Sequence, residues 1–498
     1  MVHEYVVKES VIPLMFFVLP LLATLLCYVV RGNRALSNLI TILSNTALLI
    51  LSITVLKIVI TTGTTLTFFG GEFLIDPLSS WVLLIISIIA ISTSIYNVGY
   101  IAHEHELADT SRRMHYYVFF NAFLASMFLC AVSNNMILLW AAVEATTIVS
   151  AFLVGIESKL SSIEAGWKYL ILCGVGVVFA LFGTVLVYSD AISSGLSWYE
   201  AIHWNTLIRS ADVLNDDVLK LAFILILAGY GTKAGLAPLH AWLPDAHAEA
   251  PAPVSTLLSG VLLKCAILAI IRYYALAFHA GIGEFSQMVL LSLGLISIIV
   301  SSLLILATKD IKRLFAYSSI ENVGVIAACL GFGGPMGLLA AILHMLSHAV
   351  AKSMAFMSSG NIVLLTRTRN MGSMNGLVHV MPTTSVLMLT SALVMAGTPP
   401  AFMFTTKFLA IKAGVDSGNI AALLLLVFGV AIAGVGIVSK ISRIVLGSPQ
   451  KQSNRIEAPL TSLVACAILL VITLYLGLAL PEYFERTTQV VVTHLLEK

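Results

Sequence analysis

Eight ionisable side chains stand in stretches that are otherwise almost wholly apolar: Glu144, Lys233, Lys264, Glu321, His344, His348, Lys352 and Lys407. Carboxyl, amine and imidazole groups are the ones that hand protons on by acid–base exchange. His344, His348 and Lys352 follow one another at i, i+4 and i+8, so on a helix they share a face. Lys233 is followed at once by Gly235 and Pro238, and Lys407 is preceded by Gly397-Thr398-Pro399-Pro400. Each lysine therefore lies close to a point where a helical hydrogen-bond ladder must fail. A histidine pair at i, i+4 can also grip a metal, but there is no HExxH motif and no third ligand nearby. The expectation is a proton or ion relay, with no metal and no cofactor of its own. The plainer readings are a polar clamp between helices for Glu144, packed structural histidines, and prolines that merely kink packed helices.

The elements that carry these residues follow from composition. Of 498 residues, 59% are hydrophobic and 10% charged, against about 25% charged in soluble proteins. That excludes an ordinary soluble enzyme, and a net charge of +2 argues against nucleic acid as a partner. The six cysteines are scattered through apolar runs with no CxxC, which argues against an iron–sulfur centre or a structural zinc. About 20 apolar residues cross a bilayer, and on that rule the chain is an all-α polytopic membrane protein of about fourteen spans. One membrane domain is expected over 1–498. Spans one to three occupy 10–99, spans four to eight 114–277, spans nine to thirteen 285–445, and span fourteen 459–480. Span one has no basic leader or A-x-A site ahead of it and reads as a retained helix. Thr65–Asp76 reads as a small hairpin or a loop outside the bilayer, and 189–217 is the long polar connection. Fifteen Lys and Arg, among them Lys312, Arg313 and Lys451, fall on the side of the loop after span one; eight, among them Arg272 and Lys498, fall on the other. That asymmetry places both termini on the outer side of the cytoplasmic membrane.

A charge near the bilayer centre costs at least about 2.5–3.5 kcal/mol, so the eight residues must be paired and face a polar interior. Backbone freed at a mid-membrane break survives only where it lines a cavity or packs against protein. Two interrupted helices in comparable positions of two halves mark a transport site. With the breaks in spans seven and twelve, spans four to eight and nine to thirteen read as two related five-helix repeats, inverted because five is odd. On that scheme Glu321 in span ten is the counterpart of Glu144 in span five. Glu164 and Lys168, at i, i+4, read as a helix-surface pair.

Several stretches resemble a known family. Trp140–Thr147, Ser161–Leu170, Gly231–His247, Glu249–Ser255, Asp310–Asn322 and His344–Asn361 are similar to the antiporter-type subunits of respiratory complex I and related complexes. Glu-Ala-Thr-Thr after Trp140, GWKYL and SSIENVG most resemble the F subunit of hydrogenase-4 and formate hydrogenlyase complexes. The resemblance covers about residues 75–445. It implies a fourteen-helix subunit with two inverted five-helix repeats, spans seven and twelve broken, and buried ionisable groups along the mid-plane. It implies that Glu144 pairs with Lys233, that Lys264 and the span-eleven histidines form the central connection, and that Lys407 is the terminal lysine. Some hydrogenase-type relatives lack the lysine that this chain has at Lys264. The long lateral helix of the distal complex I subunit is not expected after residue 480.

What the resemblance implies is a proton-translocating subunit of a redox-driven pump, with sodium as the alternative ion. Its partners are other membrane subunits, a peripheral redox arm and lipids, and the redox cofactors belong to those other subunits. The alternatives are a sodium/proton exchanger subunit, a subunit paired with a zinc protein for inorganic-carbon uptake, or an anchor that does not conduct.

Overall fold

A computed structural model describes residues 6–448 and 455–497, so Lys451 and Lys498, two of the cations counted above, lie outside the described residues. Twelve helices among the described residues are long and apolar enough to cross a membrane, from Ile12–Val29 to Leu460–Leu478. Spans seven and twelve are interrupted, as Asp216–Ala234 with Trp242–Glu249 and Pro382–Ala396 with Phe402–Asp416. The chain is a helical, multi-pass membrane protein. Spans three, eight, ten and eleven are buried along most of their length, whereas spans one, two, six, nine, thirteen and fourteen turn apolar faces outward. A helix apolar on all sides is buried inside a bundle or borders lipid; here the first kind carries Lys264, Glu321, His344, His348 and Lys352.

The two breaks are built alike. Asp216–Ala234 ends at Gly235 and Pro382–Ala396 at Gly397, each glycine in the left-handed region at φ +81°. At each, the glycine and the residue after it turn their N–H groups back to the last turn: Leu236 N to Gly231 O at 2.9 Å, Thr398 N to Leu393 O at 3.1 Å. This is the double closure that a glycine permits at a helix end. The Ala237–Pro238 and Pro399–Pro400 bonds that follow are both cis. Backbone freed by the first break is satisfied from outside it: Ala237 N donates to Ser297 Oγ of span nine, and Trp242 Nε1 donates to Thr232 O, both at 2.8 Å.

Three departures from the sequence reading have simple causes. The Thr65–Asp76 segment is a hairpin, Thr64–Phe68 against Phe73–Ile75, but Val6–Glu9 adds a parallel strand to it, so the helical fold carries a small three-stranded sheet. A helix also follows span fourteen, Glu482–Leu496, with Thr487, Thr488, Val491 and Leu495 buried against the bundle. Its mixed composition hid it from a rule based on apolar runs. Finally, two cations counted as surface charges are buried. Arg272 forms an ion pair with Asp76, the residue that caps span three, and Lys312 donates to Ala250 O. Val6–Glu9 and the end of Glu482–Leu496 lie on one face, that of the strands, since Val6–Glu9 pairs with Thr64–Phe68 and His494 meets Asp76 Oδ2 at 3.3 Å.

Candidate functional site

Glu144 is half-buried on span five, one helical turn before Thr147. Thr147 Oγ1 donates to Glu144 Oε2 at 3.3 Å and accepts from Lys233 Nζ at 2.7 Å. Lys233 is fully buried in the last turn before the span-seven break, and its second donor meets Tyr169 OH of span six at 2.7 Å. Tyr169 OH in turn meets Ser150 Oγ at 2.7 Å. The expected Glu144–Lys233 pair is thus joined through a hydroxyl, with no ion-pair contact between them among the described residues. A hydroxyl that accepts from one partner while donating to the next can pass a proton either way by reversing both bonds.

Deeper in, Lys264 follows a π-helical turn, Leu258–Leu262, in span eight. Lys264 Nζ donates to Ser259 O within that turn at 2.6 Å. The same Nζ meets His348 Nδ1 at 2.7 Å. The His348 and His344 rings lie nearly parallel, 6.5 Å between centroids. His344 Nε2 meets Asn322 Oδ1 at 3.1 Å, and Nδ1 meets Thr406 Oγ1 at 2.9 Å. Asn322 Nδ2 donates to Glu321 Oε2, whose other oxygen forms an ion pair with Lys407 Nζ at 3.2 Å. Lys407 also donates to Met395 O, a carbonyl beside the span-twelve break, at 3.0 Å. Polar contacts thus join Lys264 to His348, and His344 through Asn322 and Glu321 to Lys407; between the two histidines the rings only stack, and His348 Nε2 has no hydrogen-bond partner among the described residues. Between Lys233 and Lys264 no direct hydrogen bond is present among the described residues.

The structure brings seven of the eight singled-out residues into this series and turns one aside. Lys352 shares the helix face of the histidines but reaches back to span ten, donating to Phe315 O at 2.9 Å and to Ser318 Oγ, one turn before Glu321. The broken-helix positions Gly235, Pro238, Pro399 and Pro400 sit at the interruptions, on opposite sides of their lysines: Lys233 precedes its break and Lys407 follows its own. Lys407 also lines an apolar fissure of about 590 Å³ between spans twelve and thirteen, so the series ends at a gap in the wall. Glu164 and Lys168 pair at 2.6 Å in a largely exposed position. Lys168 further reaches Asp245 of broken span seven at 3.6 Å, and Arg313 of span ten clamps the same carboxylate at 2.6 Å.

Sequence reasoning missed Thr147, Tyr169, Asn322 and Thr406. Thr147 had a signal, an i+3 offset from Glu144 on one helix; the others gain meaning only through partners distant in sequence. It also missed His247. This fully buried histidine stacks on Phe356 with centroids 4.7 Å apart, and both ring nitrogens lack a hydrogen-bond partner among the described residues.

With this geometry in hand, the chain can be set beside known proteins. The profile of the NADH:quinone oxidoreductase/Mrp antiporter transmembrane family matches residues 133–433. The chain is 37% identical over 394 residues to a hydrogenase-4 component F homolog of Methylacidiphilum infernorum, covering 78% of this chain and 82% of that one. It is 31% identical over 345 residues to hydrogenase-4 component B of Escherichia coli, covering 67% of this chain and 49% of that one. Among solved structures, a chain of the membrane-bound sulfane sulfur reductase, an archaeal respiratory membrane complex, has the same fold at a TM-score of 0.88, with 23% identity and 98% of each chain covered.

Proposed function

The chain belongs to the NADH:quinone oxidoreductase/Mrp antiporter family, and on that premise we propose that it is the proton-translocating membrane subunit of a redox-driven ion pump, of the membrane-bound nickel–iron hydrogenase or formate hydrogenlyase type. It sits in the cytoplasmic membrane with both termini outside, beside other membrane subunits and lipids, and a peripheral arm carries the redox centres. Spans four to eight and nine to thirteen act as two inverted repeats, each with an acid facing the lysine of its broken helix.

The observation that carries this reading is the buried row of acid, amine and imidazole groups from half-buried Glu144 to Lys407, hydrogen-bonded in three stretches: Glu144 to Lys233, Lys264 to His348, and His344 to Lys407. A neighbouring subunit that disturbs Glu144 alters the charge felt by Lys233 through Thr147. The proton released passes toward Lys264 and then, through intervening water and by way of His348 and His344, to the Glu321–Lys407 pair, with Asn322 holding His344 and Glu321 in place. Protons reach the row from the cytoplasmic face past Lys312 and His247. Moving one charge against 100 mV takes about 2.3 kcal/mol, nearly two tenfold changes in proton affinity at 1.36 kcal/mol each. Adjacent opposite charges supply shifts of about that size. For sodium, the breaks would need to offer carboxylates or free carbonyls; at the second break the Lys407 ammonium occupies Met395 O.

The test uses the whole complex in liposomes with a pH dye. Replacing Lys233 or Glu144 with Ala should abolish electron-driven pumping and leave assembly intact. Unchanged pumping would make the chain an anchor, and a sodium gradient that moves protons without an electron donor would make it an exchanger.

A further inference from the structure

The ends of spans two, three, four and eleven, on the face opposite the termini, enclose a cavity of about 410 Å³ that the proton row does not use. Its wall holds three arginines, Arg34, Arg113 and Arg367, and one carboxylate, Glu104. Three positive charges against one negative leave the pocket at +2 with its histidines neutral. All three cations are arginines, whose planar forks match phosphate oxygens two at a time.

Their donors are far from used up. Arg113 is braced by Gly32 O at 2.7 Å, Ala108 O at 3.1 Å and Thr110 Oγ1 at 3.3 Å, which leaves two of its five donors. Arg367 touches Glu104 Oε1 and His103 O only at 3.5 and 3.4 Å, and half its side chain is exposed. Arg34 is exposed in the first turn of span two and has no hydrogen-bond or ion-pair partner among the described residues. His103 turns Nδ1 to Gly99 O at 2.9 Å, so Nε2 remains for a ligand. The pocket lies where apolar spans start and stop: span two begins at Arg34, span three ends at His103 and span eleven at Thr366. That is the depth of the lipid headgroups, and Ile101, Leu364 and Leu365 supply apolar wall.

We propose that this pocket binds the phosphate of an anionic phospholipid, its diester oxygens on Arg34 and Arg367 with Arg113 behind them. Each arginine near a membrane surface strengthens such binding about fivefold. The experiment takes the purified complex in vesicles of phosphatidylcholine with a minor fraction of photo-crosslinkable phosphatidylglycerol, and maps the crosslinks by mass spectrometry. Crosslinks are expected around Leu364 and Ile101. Arg34→Gln and Arg367→Gln should each reduce them about fivefold, and the double variant by more than tenfold, while electron-driven pumping in phosphatidylcholine alone stays unchanged. The proposal is overturned if the double variant labels as well as wild type, or if a phosphatidylcholine probe labels equally. It is overturned as a lipid site if free inorganic phosphate abolishes labelling, or if the intact complex shows none because another subunit covers the pocket.

Discussion

The contact that most directly separates a working relay from a set of polar plugs is the Thr147 hydroxyl. Thr147→Val keeps the side-chain volume and β-branching and removes only the oxygen that joins Glu144 to Lys233. Lys233 has no exposed surface, so water in the membrane interior is a poor substitute, and one of its two hydrogen bonds is lost. A hydrogen bond to a charged group is worth about 1.5–3 kcal/mol, or roughly a 10- to 150-fold change in the equilibrium that links the two residues. In proteoliposomes, electron-driven pumping should fall by about tenfold or more, with assembly and cofactor content of the complex unchanged. Thr147→Ser restores the oxygen and should restore most of the rate. Wild-type pumping by the valine variant would refute the reasoning, and so would a serine variant as impaired as the valine one, since shape and not the hydroxyl would then matter.

Removing one partner of the buried Glu321–Lys407 pair leaves an uncompensated charge, a loss of about 3–5 kcal/mol. Glu321→Gln or Lys407→Met alone should lower the melting temperature of the complex more than both together. Gly235→Ala forces a left-handed φ at about 1–2 kcal/mol and brings the new methyl within 2.5 Å of Leu243 Cδ1, so it should destabilise the subunit, as a thermal melt would register. Gly397→Ala meets Lys407 Cδ at 3.2 Å and should alter pumping through that amine. Arg369 at 2.8 Å and the Ser161 hydroxyl hold the Glu249 carboxylate, so Glu249→Gln should lower the melting temperature of the complex at neutral pH.

Much of this molecule is legible in its sequence. The apolar runs fix where helices cross, because a spanning backbone must satisfy its own hydrogen bonds. Charges inside those runs mark the row, because nothing but pairing and function keeps them there. Glycine and proline at 235–238 and 397–400 mark the breaks. Glu482–Leu496 was invisible to the same rules, since half its residues are polar and its buried face exists only against the bundle.

Which residue meets which was decided by tertiary packing alone. A sequence shows that Glu144 and Lys233 are both costly in a bilayer, but the 2.7 Å from Lys233 to Thr147 depends on how spans five and seven pack. Lys312 and Arg272 looked like surface cations by their place near helix ends, and only the fold put them in the interior. Lys352 shares its helix face with two histidines, yet a carbonyl and a hydroxyl on span ten draw its amine away. Local chemistry sets the cost of each buried charge; the arrangement of neighbouring helices, through contacts scores of residues apart, selects the partner that offsets it.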